Sequence, residues 1–156
     1  MRALSWACRS DARMAHAVTP VTIHATTVAW HAQAVTITGA AGSGKSALGL
    51  QLMALGCELV ADDQTVLTLH DHRLWATCPA AIHGLIEARF VGILQAVPCL
   101  TAVVSLAITM DVVETERLPP DRDVTYLGIT LPLLHKSETG HFAAAVLQYL
   151  KQGRRS

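Results

Sequence analysis

The chain has 156 residues, 51% of them hydrophobic and 15% charged, which is enough apolar material for the core of one compact domain. Its 12 Lys and Arg residues balance its 12 Asp and Glu residues, so no broad basic field exists to hold nucleic acid or an anionic membrane surface. We therefore expect one domain that binds neither nucleic acid nor membrane, while a local anion site stays open.

The cysteines and the N-terminal segment indicate a cytoplasmic protein. Cys8, Cys57, Cys78 and Cys99 form neither a CxxC pair nor a Cys and His pair at zinc spacing, so we interpret them as reduced thiols. The first residues lack the continuous apolar run of an export signal. Residues 1–19 are predicted to be an extension and residues 20–152 the folded domain.

The predicted elements are mostly strands, with few helices. Alternating β-branched residues predict a strand over residues 21–30, which contains His24, and another over 34–38. A helical pattern over 45–55 stops at Gly56. The remaining predictions are strands at 58–61, 65–70 and 74–78, a strand around His83, Glu87 and Arg89, two strands within 91–110, one strand over 125–131, and a helix at 141–151 capped by Ser137 or Thr139.

The segment GAAGSGKS lies between a predicted strand and a predicted helix and fits the phosphate-binding pattern G-x-x-x-x-G-K-[ST]. Its glycines let backbone N–H groups point at phosphate oxygens, and the helix N-terminus adds partial positive charge. Lys45 is predicted to contact the β- and γ-phosphates, and the Ser46 hydroxyl to ligate Mg²⁺. The predicted fold is therefore an α/β P-loop domain that binds a nucleotide through Gly39, Ala40, Ala41, Gly42, Ser43, Gly44, Lys45 and Ser46.

Two adjacent carboxylates, Asp62 and Asp63, follow an apolar strand. Neighbouring side chains on a strand point in opposite directions, so one can face a metal while the other faces an incoming nucleophile. Asp62 is the predicted general base, and His24, on the strand before the loop, is its candidate partner. The residues alone also permit a polar turn at 62–63 and a core histidine at position 24.

Three further charged residues can be explained as solvent-facing charges. Glu87 and Arg89 are two positions apart on one strand, where a solvated face is the commoner explanation. Arg117, before two prolines, reads first as a surface charge. These residues alone identify no substrate.

Together, the motifs resemble the HPr kinase/phosphorylase family, whose members phosphorylate a serine of the phosphocarrier protein HPr. The chain has IHAT at 23–26, GAAGSGKS at 39–46, LVADD at 59–63 and IEARFVGI at 86–93, in the family order. The resemblance covers about residues 20–150. It points to the family's catalytic domain, in the short alphaproteobacterial form without the usual N-terminal domain.

The resemblance implies an ATP-dependent and Mg²⁺-dependent serine kinase acting on HPr or its nitrogen-related homologue, and assembly into a homo-oligomer, the hexamer of the family. Asp62 would take the serine proton, with His24 beside it. The implied catalytic residues are His24, Lys45, Asp62 and Arg117, and the implied metal ligands are Ser46, Asp63 and Glu87.

Several positions depart from the family pattern. Ala47 stands where full-length members often have Glu, and Phe90 replaces a small Gly, so its ring is expected to alter the approach of the metal-binding strand. Residues 131–146 lack the Arg-Gly-Arg-Asn-like stretch used near the phosphoserine. Phosphorolysis of phosphoserine-HPr is therefore less secure than the kinase reaction. The alternative is a catalytically weak nucleotide-binding regulatory module that interacts with HPr or a signalling kinase.

Overall fold

The structure is a computed structural model that describes residues 17–155, so most of the predicted N-terminal extension lies outside it. The described residues form ten strands, two α-helices and one short 3-10 helix, which confirms the strand-rich α/β class. The strands are β1 Val21–Trp30, β2 Gln33–Thr38, β3 Glu58–Ala61, β4 Gln64–His70, β5 Arg73–Thr77, β6 Leu85–Ala88, β7 Gly92–Gln95, β8 Ala102–Val113, β9 Asp123–Tyr126 and β10 Ile129–Lys136. The helices are α1 Lys45–Ala54 and α2 Phe142–Gln152, and the 3-10 helix is Ala80–Ile82.

Eight strands form one mixed sheet that closes on itself. Seven of them follow the order β2-β1-β4-β5-β8-β10-β9, and the eighth, β3, pairs with β1. β2 also pairs with β8, so β2, β1, β4, β5 and β8 make a closed circuit. β2 runs antiparallel to β1 and parallel to β8. Because β2 is paired on both edges, the loop that follows Thr38 starts from a fixed point between two strands.

On its other edge, β1 has two successive partners. Its later residues pair with β3, ending at Thr27 opposite Ala61, and its earlier residues pair with β4, starting at His24 opposite Gln64. The two aspartates at 62 and 63 lie where one partner gives way to the other. The fold thus brings the end of β3 beside the strand that precedes the glycine-rich segment at 39–46.

Two apolar clusters form the core. The first packs both helices against the sheet and includes Ile37, Leu52 and Val146, none of which is exposed. The second lies among the strands of the closed circuit and includes Leu67 and Leu74. Removing several methylene groups from such a fully buried site costs about 2–5 kcal/mol of unfolding free energy, so these clusters hold the elements that carry the site.

The apolar stretch 90–110 forms strands, as predicted. β7 and most of β8 lie in it, and Pro98 lies between them. β7 pairs with β6 in a separate two-stranded sheet. Among residues 17–155, no helix is long and apolar enough to cross a membrane.

The prediction of a single strand over 125–131 is wrong, because the region is the hairpin β9–β10. The turn residues Leu127 and Gly128 have φ angles of 49° and 81°, which is the geometry of a tight primed turn. Such turns usually have Asn, Asp or Gly followed by Gly, and here only the second residue, Gly128, fits that pattern.

The predicted cap of the last helix is also wrong. His141 precedes α2 and makes no side-chain capping bond. The hydroxyls of Ser137 and Thr139 instead lie 2.8 Å from each other, upstream of the helix. The two hydroxyls thus bond to each other before the helix begins. At the other end, Gly153 is the C-cap residue of α2.

The described cysteines are free thiols, as expected for reduced residues. Cys57 is buried, while Cys78 and Cys99 are partly buried. Burial raises the pKa of all three thiols, so they stay protonated near neutral pH. Cys8 lies outside the described residues.

Candidate functional site

The loop at residues 39–46 joins β2 to α1 and is tightly wound. Gly39, Gly42 and Gly44 have φ angles of 149°, 79° and 101°, which L side chains rarely adopt. A Cβ at Gly39 would lie 2.6 Å from Ser43 Oγ and 2.9 Å from Met110 Cβ. The backbone can therefore close around this space only with glycine at position 39.

The groups of this loop suit an anion. Lys45 is 7% exposed, and its Nζ donates to Gly39 O at 2.9 Å and Ala40 O at 3.0 Å, which holds the ammonium across the loop. The first N–H groups of α1 have no partner within the helix. Ser43 Oγ is buried without a hydrogen-bond partner. Positive charge and free donors thus meet where the motif predicts phosphate.

Asp111 on β8 is a loop contact that the sequence analysis missed. Its Oδ1 accepts from Ala40 N at 2.8 Å. The parallel pairing of β2 and β8, with Thr38 opposite Thr109, brings Asp111 next to the start of the loop. No motif signals this residue, since the contact depends on strand order alone.

Asp62 is the centre of the buried polar contacts below the loop. Its side chain is 7% exposed. Oδ1 accepts from Ser46 Oγ at 2.7 Å and from Thr26 Oγ1 at 2.8 Å, while Oδ2 accepts from Glu87 N at 3.0 Å. Asp62 therefore links α1, β1 and β6, and it connects two of the predicted metal ligands.

Asp63 points the other way and forms an exposed pair with His24. His24 Nδ1 lies 3.0 Å from Asp63 Oδ1, and the two side chains are 52% and 64% exposed. Asp63 has φ 67°, which helps to turn its side chain away from that of Asp62. The expected opposite directions are confirmed. The expected contact between His24 and Asp62 is wrong, as is the alternative of a core histidine.

The β6–β7 hairpin carries two charged residues toward the loop. Glu87 has an exposed side chain, and its backbone N–H bonds to Asp62. The Arg89 guanidinium lies above Gly42, where an added Cβ would be 3.6 Å from Nη2. Both side chains are exposed, as a solvated face requires, while the Arg89 guanidinium also lies at the rim of the loop.

Phe90, at the tip of this hairpin, is fully exposed. The expectation that its ring alters the approach of the metal-binding strand is wrong, because the ring projects into solvent. The residue has φ 67°, which is costly for an aromatic side chain. Position 90 thus combines backbone strain with a side chain that buries no surface.

We expect Phe90→Gly to raise the free energy of unfolding by about 0.5–1 kcal/mol, since glycine adopts positive φ without a Cβ penalty and no buried contact is lost. Urea unfolding measures this change. Phe90→Ala is the matched control, because it removes the ring and keeps the Cβ. An equal gain from alanine would contradict the backbone explanation.

Arg117 has different neighbours from this group of residues. It lines a cavity of about 250 Å³ beside β10 and α2, together with Glu114, Arg122, His135 and Phe142. Backbone N–H donation from Glu116, and then Arg122, lowers the pKa of Glu114. Among residues 17–155, Arg117 makes no hydrogen bond or ion pair with the loop or the aspartates.

The fold and the site define a strand-rich α/β protein in which a glycine-rich loop, a buried lysine and an acidic pair meet beside one small hairpin. A family model, the HPr Serine kinase C-terminal domain, matches residues 15–129. The chain belongs to this family.

The curated relatives agree with this assignment over part of their length. The HPr kinase/phosphorylase of Xanthomonas campestris pv. campestris (strain B100) and that of Xanthomonas oryzae pv. oryzae (strain PXO99A) are each 42% identical to the chain over 76 residues. The matched region covers 48% of this chain and 24% of each relative. The chain thus matches about a quarter of the length of these proteins.

A solved structure shares the fold over most of both chains. The Hpr(Ser) kinase/phosphatase from Coxiella burnetii superposes with a TM-score of 0.69 and 28% sequence identity. The match covers 85% of this chain and 88% of that chain. The architecture described above is therefore the architecture of this family.

Proposed function

We propose that the chain is an ATP-dependent kinase that phosphorylates a serine of the phosphocarrier protein HPr or of its nitrogen-related homologue. The observation that carries the proposal is that two neighbouring carboxylates differ in burial and in hydrogen-bond partners. Asp62 is buried and bonded to Ser46 and to the backbone of Glu87, while Asp63 is exposed beside His24. One carboxylate can organise a metal while the other meets a substrate hydroxyl.

The loop supplies the phosphate contacts. Lys45 would turn its Nζ from the carbonyl oxygens of Gly39 and Ala40 toward the phosphates of ATP. The unpaired N–H groups at the start of α1 would donate to the same oxygens. Arg89, above Gly42, adds a further positive charge at the rim. Together these groups would bind the triphosphate and neutralise part of its negative charge.

Mg²⁺ fits the oxygen donors beside the loop. Ser46 and Glu87 would hold it, because a hydroxyl and a carboxylate are the ligand types that this hard cation takes together with phosphate and water. When bound, Mg²⁺ neutralises charge on the transferring phosphoryl group. We place Asp62 behind Ser46 as its hydrogen-bond acceptor, and we do not place Asp63 among the ligands.

Asp63 takes the role of base that the sequence prediction gave to Asp62. Its exposed carboxylate can accept a proton from a serine hydroxyl of a protein acceptor, whereas Asp62 already accepts three hydrogen bonds. His24 holds Asp63 through Nδ1, which must carry the proton because an ionised carboxylate only accepts. The predicted partnership of histidine and aspartate is thus kept, with the neighbouring aspartate as the partner.

The proposal covers the kinase direction. Phosphorolysis would bring a phosphoserine and inorganic phosphate together, which calls for additional cations at the site. The cavity lined by Arg117 contains none of the loop residues, and of residues 136–141 it is lined by Ser137, Thr139 and His141 but by no lysine. We therefore leave Arg117 outside the proposed site, and the hexameric assembly stays a prediction.

Incubation of the purified chain with [γ-³²P]ATP, Mg²⁺ and HPr tests the function. We expect label in HPr that is stable to acid and identified as phosphoserine. HPr with its acceptor serine replaced by alanine is the control and should remain unlabelled. Tight ATP binding without transfer to HPr or its homologue would contradict the kinase and select the regulatory module.

A further inference from the structure

We propose that Thr26 is a positioning residue that orients Asp62 and, through it, the Ser46 hydroxyl toward the metal of the bound nucleotide. The inference rests on the proposed function, since it concerns how the same site holds Mg²⁺. Thr26 lies on β1, is fully buried, and donates to Asp62 Oδ1 at 2.8 Å.

The direction of the Ser46 hydroxyl decides whether its oxygen can bind a cation. A hydroxyl ligates a metal through a lone pair, so its proton must point elsewhere. Ser46 Oγ donates this proton to Asp62 Oδ1 at 2.7 Å, which leaves the lone pairs free for a cation. The position of Oδ1 thus sets the position of the metal ligand.

Two donors hold that oxygen from different elements. Ser46 approaches it from α1 and Thr26 from β1. Because Asp62 is buried, loss of the Thr26 donor would not be repaired freely by bulk water. The carboxylate would then be held on this side by Ser46 alone, the residue that it has to orient.

Gly49 fixes the orientation of Thr26. A Cβ at Gly49 would lie 2.8 Å from Thr26 Cγ2, closer than real side chains approach. The bare helix face therefore sits directly against the Thr26 methyl group and leaves the hydroxyl aimed at Asp62. This explains why α1 contains a buried glycine at a position where alanine would favour the helix.

The neighbouring Thr27 offers a matched control. It is also fully buried on β1, but its side chain faces the opposite side of the strand and contacts the hydroxyls of Thr36 and Thr65. Thr27→Val removes a buried threonine hydroxyl, as Thr26→Val does, without touching Asp62. A purely structural role would give the two variants the same behaviour.

The experiment measures Mn²⁺ binding, by electron paramagnetic resonance, to the chain with a non-hydrolysable ATP analogue. We expect Thr26→Val to weaken Mn²⁺ affinity about 10- to 100-fold, which is the usual effect of losing a group that orients a metal ligand. Thr26→Ser keeps the donor and should retain parental affinity, as should Thr27→Val. Gly49→Ala, which displaces the Thr26 methyl group, should weaken affinity in the same direction as Thr26→Val.

Parental Mn²⁺ affinity in Thr26→Val would overturn the inference, as would equal losses in Thr26→Val and Thr27→Val. In both cases the parent still binds the metal and nucleotide, so the proposed function stands. If the parent binds no Mn²⁺ with the nucleotide, the proposed function fails and the inference fails with it. Thermal unfolding of each variant shows whether it is folded. If valine impairs folding, Gly49→Ala decides the case, because parental Mn²⁺ affinity in that variant would overturn the inference.

Discussion

Asp63→Asn is expected to lower the rate of phosphoryl transfer to HPr by about 10²–10⁴-fold, the usual contribution of a general base. The affinity for ATP should stay at the parental value, because the Asp63 carboxylate pairs with His24 and, within residues 17–155, makes no hydrogen bond or ion pair with the loop. Asparagine tolerates the backbone conformation of φ 67° and keeps the shape of the side chain. The substitution therefore removes proton acceptance and little else.

Two measurements check this expectation: single-turnover transfer of ³²P to HPr, and titration with a fluorescent ATP analogue. Urea unfolding should show an unchanged free energy of unfolding within about 0.5 kcal/mol, as for most exposed substitutions. Transfer by Asp63→Asn at the parental rate would show that this carboxylate is not the base. The same assay on Asp62→Asn then tests the original assignment.

Asp62→Asn is expected to damage the site in a different way. Asp62 accepts from two hydroxyls and from one backbone N–H, and a carboxylate can accept all three. An amide has only one oxygen. If that oxygen faces the hydroxyls, the N–H of Glu87 is left without an acceptor, which costs about 1–3 kcal/mol of unfolding free energy.

The flipped amide has another cost. Its oxygen then serves the N–H of Glu87, and its NH₂ group faces Ser46 and Thr26. The Ser46 hydroxyl must reverse, so that its proton points to the place of the metal. We therefore expect Asp62→Asn to lose stability, or to lose about 10- to 100-fold in Mn²⁺ affinity. Urea unfolding and metal titration measure the two effects.

Asp63→Asn is the matched control for both assays, because it makes the same chemical change one residue later. It should lose neither stability nor metal affinity. If Asp62→Asn matches the parent in both assays, Asp62 is not the organising group described above. Together the two variants separate a metal-organising carboxylate from a proton-accepting one.

The sequence predicted the elements of the site better than their partners. The loop residues, the double aspartate and the hairpin strand with Glu87 all lie where their motifs indicated. The sequence could not show which of Asp62 and Asp63 faces inward, since the alternation of side chains along a strand requires only that the two point in opposite directions. That depends on the change of partner along β1 and on the φ angle of Asp63.

Contacts that depend on strand order were also unpredictable. Thr26 and Asp111 are distant in sequence from the residues that they contact. Asp111 belongs to none of the quoted motifs, and IHAT at 23–26 pointed to its histidine and not to Thr26. Arg117 shows the converse limit: its motif matched the family, yet the residue lines a cavity to which no loop residue contributes. The β9–β10 hairpin was not predicted because Leu127 occupies a turn position that Asn or Gly usually fills.

The two-stranded sheet of β6 and β7 has a consequence for local stability. An isolated hairpin is marginally stable in water, so this one depends on its packing through Ile86 and on the bond from Glu87 N to Asp62. Amide hydrogen exchange should therefore be faster in β6 and β7 than in β2, which is paired on both edges. Glu87 and Arg89 are thus carried by a unit that can open while the closed circuit of strands that supports the loop stays folded.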